Sequence, residues 1–318
     1  IGSTETINGQ MASNSGIRFD GVGNAPIQST RTTYSCSSTQ GSPCPATKNG
    51  VWGSATQTTK NFWQFPVPAV DFSSLTTNFA AIKSGAQSAG IYLPPSSTGG
   101  YSLAFNNTGT VSIYKVTKLK KTPTGWDVNG NAHAEDIDYD TKTFLYTKTI
   151  PTNGLIYIED NVWVEGIVKG RVVVATAKLP YNASQAPTIY IPNNITYLTK
   201  DGTNSLGLIA QKDVVITYGA PSVLEIDAAI VAQNGSAQIF NYSSACTGNC
   251  SNVIKNSITT YGSIMSYGQW TWSWISGSTI VSGYPNTYST YDNNLLYAPP
   301  PSFPLSASGY QLISWSSD

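Results

Sequence analysis

Charge is what this 318-residue chain has least of: 17 basic and 17 acidic side chains make up 11 % of it and cancel to zero. Such a balance sets up no field to draw in nucleic acid or an acidic membrane surface, so neither is expected as a partner on electrostatic grounds. Lys and Glu, the usual residues of exposed helix faces, are scarce, which argues against a helical protein. No stretch approaches the roughly 20 apolar residues of a membrane span. The opening Ile1-Gly2-Ser3-Thr4 has neither an initiator Met nor a basic leader region. The chain therefore reads as processed or truncated, with any signal peptide or anchor upstream of Ile1. It has one histidine, His133, and no nucleophile elbow, phosphate loop, dinucleotide fingerprint or zincin helix, so it carries no catalytic signature and implies no cofactor.

Cysteine is also sparse, and its placement is informative. Cys36 with Cys44 and Cys246 with Cys250 form two close pairs, each in a Ser/Thr/Gly-rich loop. Two local disulfides are the reading over a zinc site, since only Cys246 and Cys250 have a knuckle-like spacing and His133 is the single histidine. Short loops closed this way pin themselves more than they stabilise the fold, and they imply an oxidising, extracytoplasmic setting. Solubility then falls to Ser, Thr, Asn, Gln, Gly and the 19 Tyr, a surface like that of exported β-proteins.

What the chain has in abundance is short strands. From Gly154 to Ala232 the segments Ile156–Ile158, Val162–Val164, Val172–Val174, Ile189–Ile191, Leu208–Ala210, Val214–Ile216 and Leu224–Ile226 follow one another. Each is β-branched or aromatic, and nearly every break holds Asn, Asp, Gly or Pro. Strands this short suit a β-solenoid, in which each coil turns a corner every few residues and stacks on the next. Apolar clusters at Ile189, Leu208 and Ala229–Val231 lie about 20 residues apart, near the length of one coil. A β-sandwich or jelly roll is the rival and calls for longer alternating strands. The expected fold is all-β: one irregular β-solenoid (β-helix) body over 1–318, with one amphipathic helix and an aromatic-rich C-terminal wrap.

Within that body, 33–60 reads as a surface excursion and 71–89 as the helix, with Phe72, Leu75, Phe79, Ile82 and Ala86 on one stripe, Asp71 or Ser73 as cap and Gly90 as stop. A hairpin region spans 101–147, turned at Asn106–Gly109 and followed by a Lys115, Lys118, Lys120, Lys121 cluster that reads as a solvated edge. The main ladder covers 154–265. The tail, 266–318, has too many prolines for regular sheet and reads as an outer wrap.

Three groups of residues carry candidate chemistry. Glu225 and Asp227 flank Ile226 on one strand and so share a face, roughly 6–7 Å apart, a distance compatible with a pair of glycosidase carboxylates. The plainer reading is that both face water, and Glu159, Asp160 and Glu165 carry the same ambiguity. Asp127, Asn129, Asp136 and Asp138 lie in an Asn/Asp-rich stretch resembling a calcium loop without its full spacing, where a simple polar turn is the commoner explanation. Trp270, Trp272 and Trp274 alternate, so an extended backbone sends all three to one face, either as a sugar- or protein-binding platform or as a buried cover.

Several stretches resemble a known family. They are Asn14-Ser15-Gly16-Ile17-Arg18-Phe19, Phe65-Pro66-Val67-Pro68-Ala69-Val70-Asp71-Phe72, Gly154-Leu155-Ile156-Tyr157-Ile158, Leu206-Gly207-Leu208-Ile209-Ala210 and Ile226-Asp227-Ala228-Ala229-Ile230-Val231-Ala232-Gln233. Together they look like type IV pilus-associated, minor-pilin-like surface proteins of bacteria, which carry a secreted β-solenoid behind a membrane-anchored helix. The hydrophobic pilin helix is not in this sequence. The resemblance implies a display or adhesion role outside the cell or at a pilus tip, extending to DNA uptake, with pilus or cell-surface proteins as partners. It supplies no catalytic residues. The expected function is thus a non-catalytic extracellular structural or adhesive module. A polysaccharide-active β-helix enzyme and a self-assembling filament subunit are the alternatives, with glycans or further copies of the chain as partners.

Overall fold

The computed structural model describes residues 1–36, 43–69, 78–133, 138–246, 250, 252–277 and 279–303. Strands dominate and are mostly short, so the all-β expectation holds. They form three parallel ladders around a shared core. In the first, Ile91 lies beside Ile156, Ile156 beside Val174, Val174 beside Leu208, Leu208 beside Ile230 and Ile230 beside Ile264. In the second, Val162 neighbours Ile189, then Val214, then Ala237. In the third, Ile195 neighbours Ile226, which lies beside Thr260, and Thr260 beside Ser289.

The first ladder explains why its strands read as unbroken apolar runs. Alternate residues point inward to the main core, while the row Tyr92, Tyr157, Ala175, Ile209, Val231 and Met265 points outward. That outer row is itself covered by a helix, Asn78–Ala89, which lays Phe79, Ile82 and Ala86 on it. A parallel sheet buried on both sides has no polar face to show in sequence. The expected stripe residues Phe72 and Leu75 and the caps Asp71 and Ser73 lie outside the described residues. At the other end Gly90 donates to the Ala86 carbonyl, and a side chain there would strike the Leu155 carbonyl oxygen at 2.4 Å.

The hairpin forms as read, Gly100–Asn106 against Thr110–Lys120 with Gly109 at φ +82°, and a third antiparallel strand, Asp138–Thr149, joins its outer side. Gly100–Asn106 also pairs in parallel with Val162–Val168, so the hairpin caps one end of the second ladder. In the 33–60 stretch, Thr33–Cys36 and Ala46–Asn49 form an antiparallel ribbon closed by the Cys36–Cys44 disulfide. Cys246–Cys250 is the second disulfide.

Two placements differ from the sequence reading. Within the stretch read as an outer wrap, Asn286–Tyr291 enters the third ladder beside Ser257–Gly262. Its other edge is taken by Glu5–Asn8 from the start of the chain, which in turn pairs with Val22–Gly23. The N-terminal strands thus stack beyond the last strand of the ladder and enclose a small core of Ile7, Ile17, Phe19, Ile27 and Val51. Over 299–303 the chain does run along the outside: Pro299 accepts a hydrogen bond from Arg171, and Phe303 packs on the outer row of the first ladder.

Candidate functional site

Glu225 and Asp227 point outward from the third ladder and meet on one cation. Lys200 Nζ lies 2.8 Å from Glu225 Oε1 and 2.9 Å from Asp227 Oδ1, and 4.7 Å from the centre of the Tyr261 ring. Asp227 is fully buried, and its Oδ2 accepts from the Tyr197 amide at 2.9 Å. Burial pushes its carboxyl above the ordinary range, against the opposing pull of Lys200 and that amide. The expectation that both acids face water is therefore corrected for Asp227. The pairing of residues near 195 with residues near 226 brings Lys200 over the acids. Asp227 is closed to solvent, whereas Glu225 keeps about 42 % of its side chain exposed beside the same lysine.

The other acids are occupied in the same manner. Glu159 takes the Lys83 ammonium and, at 2.8 Å, the Tyr92 hydroxyl, which ties the Asn78–Ala89 helix to the first ladder. Asp160 accepts from the Ser96 amide and hydroxyl at 2.8 and 2.7 Å. Glu165 lies 3.2 Å from Lys142, whose ammonium sits 4.5 Å and 4.4 Å from the Tyr114 and Tyr139 ring centres. That contact fastens the Asp138–Thr149 strand over Trp163 and Tyr190, which stack at 4.8 Å on the second ladder's outer side. Burial would lower the Lys142 pKa, but Tyr139 and Glu165 outweigh it and the net shift is upward. Glu159, Asp160 and Glu165 join neighbouring segments to a ladder, and Glu225 and Asp227 join two successive passes of the third ladder. The lysines were missed because no local pattern pairs Lys83 with Glu159 or Lys142 with Glu165.

Asp127 is likewise absorbed by its own turn. Its Oδ1 accepts from the Asn129 and Asn131 amides, both at 2.9 Å, and its Oδ2 from Asn131 Nδ2 at 2.9 Å, with His133 Nε2 at 3.1 Å. Burial raises its pKa, these hydrogen bonds exceed that effect, and the net shift is downward. Asn129 contributes its backbone to the turn, Asp136 lies outside the described residues, and so does the side chain of Asp138. Among the described residues no three His, Cys, Asp or Glu side chains converge as a metal site. The turn docks on the second ladder through Val128 N, which donates to Gln238 Oε1 at 3.1 Å, and His133 stacks on Phe240 at 4.3 Å.

Of the tryptophans, Trp272 is buried, Trp270 meets it edge to face at 6.2 Å, and half-buried Trp274 donates from Nε1 to the Ile239 carbonyl at 2.8 Å. They close the core beside Ile239 instead of forming an open platform. A wide groove of about 760 Å³, lined by Thr108, Thr149, Asn153, Lys169, Arg171 and Pro301 among others, contains no carboxylate.

No family model matches the chain, and no curated protein does. Among solved structures, the competence-associated pilin ComZ from Thermus thermophilus is similar over 80 % of this chain and 50 % of that one, at a TM-score of 0.30 and 13 % identity. The chain spans about half the length of that protein, and so loose a likeness carries no functional weight. Two disulfides fit an extracellular or surface protein. No described helix is long and apolar enough to cross a membrane.

Proposed function

We propose that this chain is a non-catalytic structural or adhesive module displayed outside the cell, of the type IV pilus-associated kind, with its three ladders forming the coils of a β-solenoid. The observation that carries the reading is the use made of the acids. Glu159, Asp160, Glu165, Glu225 and Asp227 each bind a lysine, tyrosine, serine or backbone partner that ties a neighbouring segment or the next pass of the ladder in place. Side chains committed to clamping the molecule shut suit a load-bearing surface body better than an acid–base catalyst. The disulfides support an oxidising compartment, and the sequence resemblance supports pilus or surface proteins as partners.

Two measurements test it. Immunogold labelling of intact source cells is expected to place the protein on the surface or along pili; labelling confined to the cytoplasm would sink the reading. The purified chain is expected to release no reducing sugar from neutral or acidic polysaccharides. Release that disappears in Glu225→Gln would establish the enzyme alternative.

A further inference from the structure

The Asp138–Thr149 strand has only one neighbour among the described residues. Thr110–Lys120 occupies one edge, and the other is unpaired along its length. From Thr143 to Thr149 every residue is exposed, including three consecutive large apolar side chains, Phe144 at 54 %, Leu145 at 41 % and Tyr146 at 41 %. Proteins ordinarily blunt such an edge with proline or a cover, because its free N–H and C=O groups are a template for another strand. This one contains no proline, and no second described strand pairs with it.

We propose that Asp138–Thr149 pairs antiparallel with the same strand of a second copy of this chain. The charges of the strand select both occupant and direction. Asp140 stands near its start and Lys148 near its end, flanking Phe144–Tyr146. An antiparallel copy sets each Asp140 beside the other's Lys148 and brings the two apolar centres together. A parallel copy sets Asp140 beside Asp140 and Lys148 beside Lys148. Neither present contact consumes these residues in the interior: Asp140 meets exposed Lys118 at 2.8 Å, and Lys148 donates to the Gly90 carbonyl at 3.2 Å. With a formal net charge of zero, two copies approach without overall repulsion. Leu145 is the extra residue of a β-bulge, which shortens the run available for pairing. The product is a reversible dimer built on main-chain hydrogen bonds, as in other strand-addition complexes. This inference stands apart from the pilus reading.

Sedimentation velocity on the whole chain, from low micromolar to near-millimolar concentration, is expected to show a rise from one chain to two. Phe144→Lys and Thr147→Pro, each verified as folded by circular dichroism, are expected to remove that rise. Under oxidising conditions a mixture of Asp140→Cys and Lys148→Cys is expected to give a disulfide-linked pair, and Asp140→Cys alone is not. A chain that stays single throughout, a dimer that survives both edge variants, or linkage by Asp140→Cys alone overturns the proposal.

Discussion

Asp227 and Asp213 are carboxyls that the ladders hold away from water. Burial raises both above their ordinary range, so each gives stability that is full at low pH and lost as pH rises through its raised pKa. Asp213 Oδ1 accepts from the Ser236 amide at 2.8 Å, a bond that an Asn side chain keeps. Asp213→Asn is therefore expected to be more stable than the parent at pH 7, with the gap closing below the ordinary carboxylate pKa; urea midpoints at pH 3 and pH 7 check this. Asp127 runs the other way, its lowered pKa giving stability above the ordinary value that is lost as pH falls. Lys200→Met leaves Asp227 buried beside no cation. We expect a cost of about 2 kcal/mol in denaturant unfolding, less than for a fully buried pair because Lys200 is half exposed. The shared face of Glu225 and Asp227 was legible from strand alternation alone. The fate of the pair was not, because it depends on Lys200, placed by the neighbouring pass of the chain.

Elements that depend on local spacing were the ones the sequence revealed. The Phe79, Ile82, Ala86 stripe, the Asn106–Gly109 turn and the β-branched make-up of the short strands are all visible within a few residues of sequence, although the strands' pairing partners are not. The helix matters beyond its size, since it is the lid on the outer row of the first ladder. Ile82 is fully buried there, and Ile82→Ala is expected to cost about 3 kcal/mol by leaving a cavity between helix and sheet. Thermal unfolding followed by circular dichroism checks this, with Lys83→Ala as a milder companion that loses the Glu159 contact. The tryptophan row shows the limit of period-two reasoning: alternation was plain, but whether Trp272 faced water depended on the core it closes.

At the scale of the molecule, the largest feature left no trace in sequence. Glu5–Asn8 pairs with Thr287–Thr290, a parallel match between segments far apart along the chain that no local pattern announces. A chain beginning at residue 78 bares the Asn286–Tyr291 edge. Its amides and those of Ser257–Gly262 are expected to lose hydrogen-exchange protection while the first ladder keeps its own; uniform protection across both would show that the N-terminal strands add nothing to the ladder. Contacts of such range also make folding slow for the chain's size.

The same pairing has a consequence for biosynthesis. At the usual ~5–20 residues per second the ribosome delivers Glu5–Asn8 on the order of 15–60 s before the strand they lie against. A strand made early thus waits for one made much later before it finds its place. Until Asn286–Tyr291 arrives, Ile7 and its small apolar group have no ladder to rest on, and the pairing of these two strands then shuts like a clasp.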